Sequence, residues 1–141
     1  MNDRPTAVEL VAAVRQYLET ELLPSLADAR LRFQTLVAAN VLAIVERELP
    51  DEEDRLREEW LWLAGLQCPS ERIPTSLATL RQAVHNGNVQ LCARVERGEF
   101  DSAERFRALA QQLRPIIEHK LESANPRYLA GIQAERTTRA P

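Results

Sequence analysis

Apolar residues recur every three or four positions along most of this chain, and this spacing predicts amphipathic α-helices. Glycine, which weakens helices, occurs only 4 times in 141 residues. The runs of β-branched residues that favour strands are short. A chain of this length can bury enough surface to fold without a metal or a disulfide. We therefore expect an all-α fold, a compact single-domain bundle of five or six helices.

Local signals predict the ends of the first two helices. Thr6 followed by Glu9 forms a capping box, which opens a helix that ends near Pro24. A second helix is expected from about Asp28 to Leu49. Its apolar residues extend well beyond one stripe, so we expect neighbours to cover it on several sides.

The remaining helices are predicted from proline, glycine and capping residues. A third helix begins at Pro50, a fourth stops at Asn86-Gly87, and a short fifth stops at Gly98. A last long helix begins at Asp101 or Ser102 and is kinked at Pro115. Residues 1–129 then form the helical domain, and residues 130–141 form a polar, frayed tail.

Composition excludes several classes of function. The net charge of −3 is too small and of the wrong sign for nucleic-acid binding, and no apolar stretch is long enough to span a membrane. Cys68 and Cys92 lack a metal-type spacing, and we interpret them as free thiols, Cys92 in the core. With no leader-like N-terminus, the chain is predicted to be cytoplasmic.

Catalytic and ligand-binding motifs are missing from the sequence. Neither His85 nor His119 belongs to a Glu-x-x-His motif of a di-iron bundle, and no glycine-rich phosphate loop occurs. We therefore predict no catalytic residue, no metal and no cofactor, and we favour a protein that is not an enzyme.

A polar edge on the second helix is the first candidate binding site. Asn40 shares a helix side with Phe33 and Val37, and a buried amide there must find a hydrogen-bond partner. That partner is either a neighbouring helix end or a ligand or protein. Arg30 and Arg32 lie one to two turns earlier, where they either line the same edge or form surface salt bridges.

The segment after the last helix is the second candidate. Asn125, Arg127 and Tyr128 follow a helix stop, and such a segment either docks on the body of the protein or recognises a partner. We expect it to fold back on the second helix, so that Arg127 or Tyr128 approaches Asn40.

Two tryptophans form a candidate interface. Trp60 and Trp62 are two positions apart and cannot share one face of a helix. Either one of them is exposed and forms a homo-oligomeric contact, or both are buried between helices.

Three segments, in this order, match the pattern of a known family: DRPTAVELVAAVRQYLE, RLRFQTLVAANVLAIVERE and KLESANPRYL. With them the chain resembles a small bacterial family, domain of unknown function 6285, over about residues 3–129. The positions that match the family pattern are Arg30, Arg32, Phe33, Asn40, Glu46, Asn125, Pro126, Arg127 and Tyr128. The family has no established catalytic residues, so none is carried onto this chain.

The resemblance also implies a biological setting. Members are similar to proteins encoded beside, or joined to, aminoglycoside-phosphotransferase-like kinases and acyl-CoA dehydrogenases, which implies acyl-CoA catabolism. We interpret the chain as an accessory or interaction domain that serves such a partner. The alternative is a module or small enzyme that binds an acyl-CoA-type ligand in a pocket near Asn40. Binding assays with acyl-CoA species and with the kinase distinguish the two.

Overall fold

Six α-helices form the regular structure of residues 4–67 and 72–139, the part of the chain that this computed structural model describes. A π-helical turn, Leu18–Leu22, and a short helical turn, Leu23–Ser25, follow the first helix. The described residues contain no strand, so the predicted all-α fold is confirmed. The helices are α1 Ala7–Tyr17, α2 Ala29–Glu48, α3 Glu52–Gln67, α4 Leu77–Glu96, α5 Ala103–Ala124 and α6 Pro126–Arg139.

The predicted capping signals are present at several helix ends. Glu9 accepts a hydrogen bond from the Thr6 backbone N–H at 2.7 Å, and Thr6 Oγ1 accepts one from Glu9 at 3.2 Å, which completes the capping box. Asp28 caps α2 by accepting from the backbone N–H of Arg30 and of Leu31. Gly98 adopts φ +77° after α4, the left-handed conformation that often ends a helix.

The predicted helix stop at Asn86-Gly87 is wrong, because α4 continues through both residues. Gly87 is buried, and a Cβ atom at this position would lie 2.9 Å from Leu63 Cδ1 on α3. The glycine therefore allows the backbones of α3 and α4 to approach closely, and this packing keeps it inside a helix despite its low propensity.

The chain divides into two compact units, of which unit 1 comprises Met1–Asp51 and Glu122–Pro141. In it α1 and α2 pack against each other, and Arg15 Nε donates to Glu46 at 2.8 Å. The start of α6 is held in the same unit, where Leu129 is 5% exposed. α6 is helical to Arg139, whereas the sequence predicts a frayed tail from residue 130.

Unit 2 comprises Glu52–Leu121, and α3 and α4 form its main helix pair. Arg81 on α4 donates two hydrogen bonds to the Glu52 carboxylate, each 2.6 Å long. α5 contains Pro115 within a continuous helix. The apolar core of this unit is Trp60, Leu63, Leu80, Val84, Leu91 and Leu109.

The two cysteines have different outcomes. Cys92 is free and exposed on α4, so its predicted place in the core is wrong. Cys92 and Val95 are three positions apart and share a side of α4, and Val95 is also exposed. The buried side of α4 is the one that carries Leu91. Cys68 lies outside the described residues.

Candidate functional site

Arg32 supports the fold of unit 1. Its guanidinium Nη1 donates to the backbone carbonyl of Leu23 at 3.1 Å and to that of Leu26 at 3.3 Å. Leu23 belongs to the short helical turn and Leu26 is its C-cap, and backbone carbonyls at such a helix end lack helical partners. Arg32 thus ties the start of α2 to the segment before it.

Asn125 is a helix cap. Its Oδ1 accepts from the backbone N–H of Tyr128 at 3.1 Å, and its carbonyl accepts from Leu129 at 3.2 Å. Pro126 occupies the first helical position, where its missing N–H costs nothing. The pattern Asn-Pro-x-Tyr therefore begins α6, although it also closes the helix before it.

The predicted return of the closing segment to α2 has a partial counterpart in unit 1. Arg47, near the end of α2, donates from Nε to the carbonyl of Ser123 at 2.8 Å. Arg127 and Tyr128 are exposed, and among the described residues neither donates a side-chain hydrogen bond to Asn40. Their approach to Asn40 remains a prediction.

An exposed apolar side of α2 is the most conspicuous surface feature of unit 1. Phe33 is 67% exposed, Val37 46% and Val41 51%. These residues follow one another at intervals of four, so they share one side of the helix. We call this side the α2 face, and its members are Arg30, Phe33, Val37, Asn40, Val41, Ile44 and Glu48.

Asn40 belongs to the α2 face and is exposed, so its predicted inward position is wrong. Its side chain forms no hydrogen bond within the described part of the chain. The prediction that α2 is covered on several sides is wrong for the same reason. The buried part of α2 is the opposite side, around Ala39. Apolar periodicity groups residues on a face, but it does not show whether another element covers that face.

The tryptophans lie in unit 2. Trp60 is buried, and Trp62 is half-buried with its Nε1 donating to Gln112 Oε1 on α5 at 3.1 Å. Leu61, between them, is exposed. An interface through Trp60 and Trp62 remains a prediction. Trp60 is part of the core of unit 2, and Trp62 packs against that core.

A buried carboxylate in unit 2 was not found from the sequence. Glu59 is 5% exposed and accepts from Asn88 Nδ2 at 2.8 Å and from Lys120 Nζ at 2.7 Å. The available signal was its spacing, because Glu59 lies between Leu56 and Leu63 on the apolar stripe of α3. Both partners donate to the same oxygen, Oε1, so this cluster joins α3, α4 and α5. No buried side-chain nitrogen or oxygen of the described residues lacks a hydrogen bond, so the cluster holds no unpaired buried polar atom that would indicate a ligand.

Two features are absent from the described residues, a cluster of metal ligands and a membrane-spanning helix. No group of three His, Cys, Asp or Glu side chains in this part of the chain is arranged to hold a metal ion. None of the helices over the same residues combines the length and apolar character that a membrane span requires.

Comparison with known proteins identifies the family. A family model described as "Domain of unknown function (DUF6285)" matches residues 24–128. No curated protein and no solved structure matches the chain. The matched range includes α2 with its exposed face, all of unit 2 and the Asn125 cap, whereas α1 precedes it. Because the match covers well over half of the chain, this protein belongs to the family of domains of unknown function 6285.

Proposed function

We propose that this chain is an accessory domain that binds another protein, and that the α2 face is the surface it uses. The observation that carries the proposal is the exposure of Phe33, Val37 and Val41 along one side of a single helix. The largest contiguous apolar patch on a soluble monomer covers roughly 300–600 Å² and is often an interaction site.

A second exposed stripe supports the same class of function. On α1, Leu10, Val14 and Tyr17 are each more than half exposed, at the i, i+4, i+7 spacing of one helix side. Helix faces of this kind are recognised by other helices or by apolar grooves. The chain thus offers association surfaces, and many of its described polar groups form helix caps and ion pairs.

The partner we propose is a kinase-like protein or an acyl-CoA dehydrogenase, as the family resemblance implies, in the cytoplasm of a bacterium. The free thiol of Cys92 is consistent with a reducing compartment. The second candidate is an acyl-CoA-type ligand bound beside Asn40. The exposed apolar side chains around this amide favour it, because they could accept an acyl chain.

A matched pair of valine substitutions tests the proposal. Val41→Asp places a charge on the α2 face, and Val89→Asp places the same charge on α4, where the valine is 55% exposed. Purified kinase or dehydrogenase is titrated with each variant by calorimetry. We expect wild type and Val89→Asp to bind and Val41→Asp to lose at least about tenfold in affinity, because an interface charge must be desolvated without a partner.

The same titrations separate the alternative. Saturable binding of an acyl-CoA to the wild-type chain, with no binding of either protein, would replace the accessory domain by a ligand-binding module. Equal protein affinities for the Val41→Asp and Val89→Asp variants would show that the α2 face is not the surface used.

A further inference from the structure

We propose that the occupant of the α2 face is a second copy of this chain, with the two α2 helices packed antiparallel about a two-fold axis. This inference rests on the proposed class of function, protein binding through the α2 face, but replaces the kinase or dehydrogenase by a second copy as the protein that covers this face. A two-fold interface requires one patch to be complementary to itself, so each half must present what the other half needs. The α2 face meets this requirement in its charges, its central amide and its area.

The charges at the two ends of the α2 face are opposite. Arg30 and Glu48 are eighteen positions apart, which is about five whole turns, so they lie on the same side of the helix. The residues between them on that side are apolar apart from Asn40 and Gln34, which lie at its two edges. In an antiparallel pair, Arg30 of each copy lies opposite Glu48 of the other, whereas a parallel pair would place like charges together.

Both of these charges lack a partner within the described chain. Neither Arg30 nor Glu48 forms a side-chain hydrogen bond or an ion pair there. The other arginines of α1 and α2 are all engaged: Arg15 with Glu46, Arg32 with two carbonyls and Arg47 with Ser123. The unpaired charges of α1 and α2 are therefore Arg30 and Glu48, which lie at the two ends of the exposed apolar stripe.

Asn40 lies next to the midpoint of the interval from Arg30 to Glu48, which is position 39. The two-fold axis of the antiparallel pair passes beside this midpoint, so the Asn40 side chains of the two copies face each other near the axis. An amide near the middle of a mostly apolar helix seam sets register and orientation, because only one alignment pairs it with its copy. This accounts for an exposed amide among apolar neighbours.

The area is sufficient for a small dimer interface. Phe33 exposes roughly 130 Å², taking two thirds of the area of an aromatic side chain. Val37 and Val41 are each about half exposed and add on the order of 80 Å² apiece. Two copies thus bury roughly 600 Å² of apolar surface, which corresponds to about 1,000 Å² in total for an interface that is about 60% apolar. This value is close to the minimum for a specific interface, so we expect a dissociation constant on the order of ten micromolar.

Charge reversal tests the arrangement without altering buried residues. Arg30→Glu or Glu48→Arg alone places like charges opposite each other twice per dimer, and the double variant restores both pairs. By sedimentation equilibrium, we expect each single variant to raise the dimer dissociation constant at least about tenfold and the double variant to return it to within about threefold of wild type. Glu135→Arg, on exposed α6, is the matched control and should leave the constant unchanged.

Val41→Asp and Asn40→Leu supply independent outcomes. Val41→Asp should give a monomer with an unchanged circular-dichroism spectrum, and Asn40→Leu should tighten association because the amide is replaced by apolar surface. A wild-type chain that is monomeric up to about 100 μM, above the dissociation constant of about ten micromolar expected from its area, overturns the inference. So does a dimer that neither Val41→Asp nor the single charge reversals weaken. If the monomeric wild type still binds kinase or dehydrogenase through Val41, the inference fails and the proposed function stands; if it binds neither, both fail.

Discussion

Gly87 is the position where the structure predicts an unusual response to a simple substitution. Replacing glycine by alanine inside a helix normally stabilises a protein by about 1 kcal/mol. At Gly87 the new methyl carbon would lie 2.9 Å from Leu63 Cδ1, whereas carbon atoms attract best at about 3.5–4.0 Å. Leu63 is 2% exposed within the core of unit 2, so it cannot turn away without disturbing its neighbours. Overpacking of this kind costs about 1–3 kcal/mol, so we expect Gly87→Ala to lower the free energy of unfolding by about 1 kcal/mol.

The measurement is urea unfolding followed by circular dichroism, with Gly65→Ala as the control. Gly65 lies in α3 of the same unit, and a Cβ atom there would meet nothing within 4 Å. Gly65→Ala should therefore stabilise the chain by about 0.5–1 kcal/mol. In a Leu63→Ala background, Gly87→Ala should also become stabilising, because the overlapping side chain is gone. Equal stabilisation by Gly87→Ala and Gly65→Ala in the otherwise wild-type chain would refute the close approach of α3 and α4.

Three further predictions concern ion pairs and the start of α6. Lys120→Met leaves the buried Glu59 carboxylate with a single donor and should cost about 1–3 kcal/mol in urea unfolding, whereas no loss would mean that water reaches Glu59. Arg94, and to a lesser extent Arg97, lowers the pKa of Glu99 by hydrogen bonding to its carboxylate. This stabilisation is present above the ordinary pKa of 4.5 and is lost as the pH falls through the lowered pKa. Arg94→Met should therefore reduce the fall in melting temperature between pH 5 and pH 3, about the range in which a carboxylate titrates. An unchanged dependence of the melting temperature on pH would contradict the lowered pKa of Glu99. Leu129→Ala should cost about 2–5 kcal/mol, because this side chain is buried in unit 1, whereas the exposed Tyr128→Ala should cost under about 0.5 kcal/mol.

The helix ends that the sequence predicted correctly are those set by local chemistry. Thr6 and Glu9 form hydrogen bonds within one turn, Asp28 caps its own helix, and Gly98 needs only its own backbone freedom. Such signals act over three or four residues, so they can be recognised without knowing the neighbours. The all-α fold follows from the same local signals together with apolar periodicity.

The candidate site could be predicted only in part. The sequence predicts Arg32 and Asn125 as binding residues, and both form specific hydrogen bonds, but these bonds belong to helix ends. Glu59 was missed because its partners Asn88 and Lys120 are distant in the sequence. Contacts that join three helices produce only a weak pattern in the sequence of any one of them.

The sequence by itself determined that the chain is helical, where most helices begin, and which apolar residues share a side of each helix, because backbone geometry and capping act locally. Only the tertiary structure decided which of those sides are covered. Gly87 lies inside a helix because Leu63 packs against it, and Trp60 is buried because α4 and α5 supply neighbours. The α2 face carries equally apolar residues and stays exposed, because no other described element of unit 1 packs against that side. Burial depends on which elements meet, and periodicity within one helix does not contain that information.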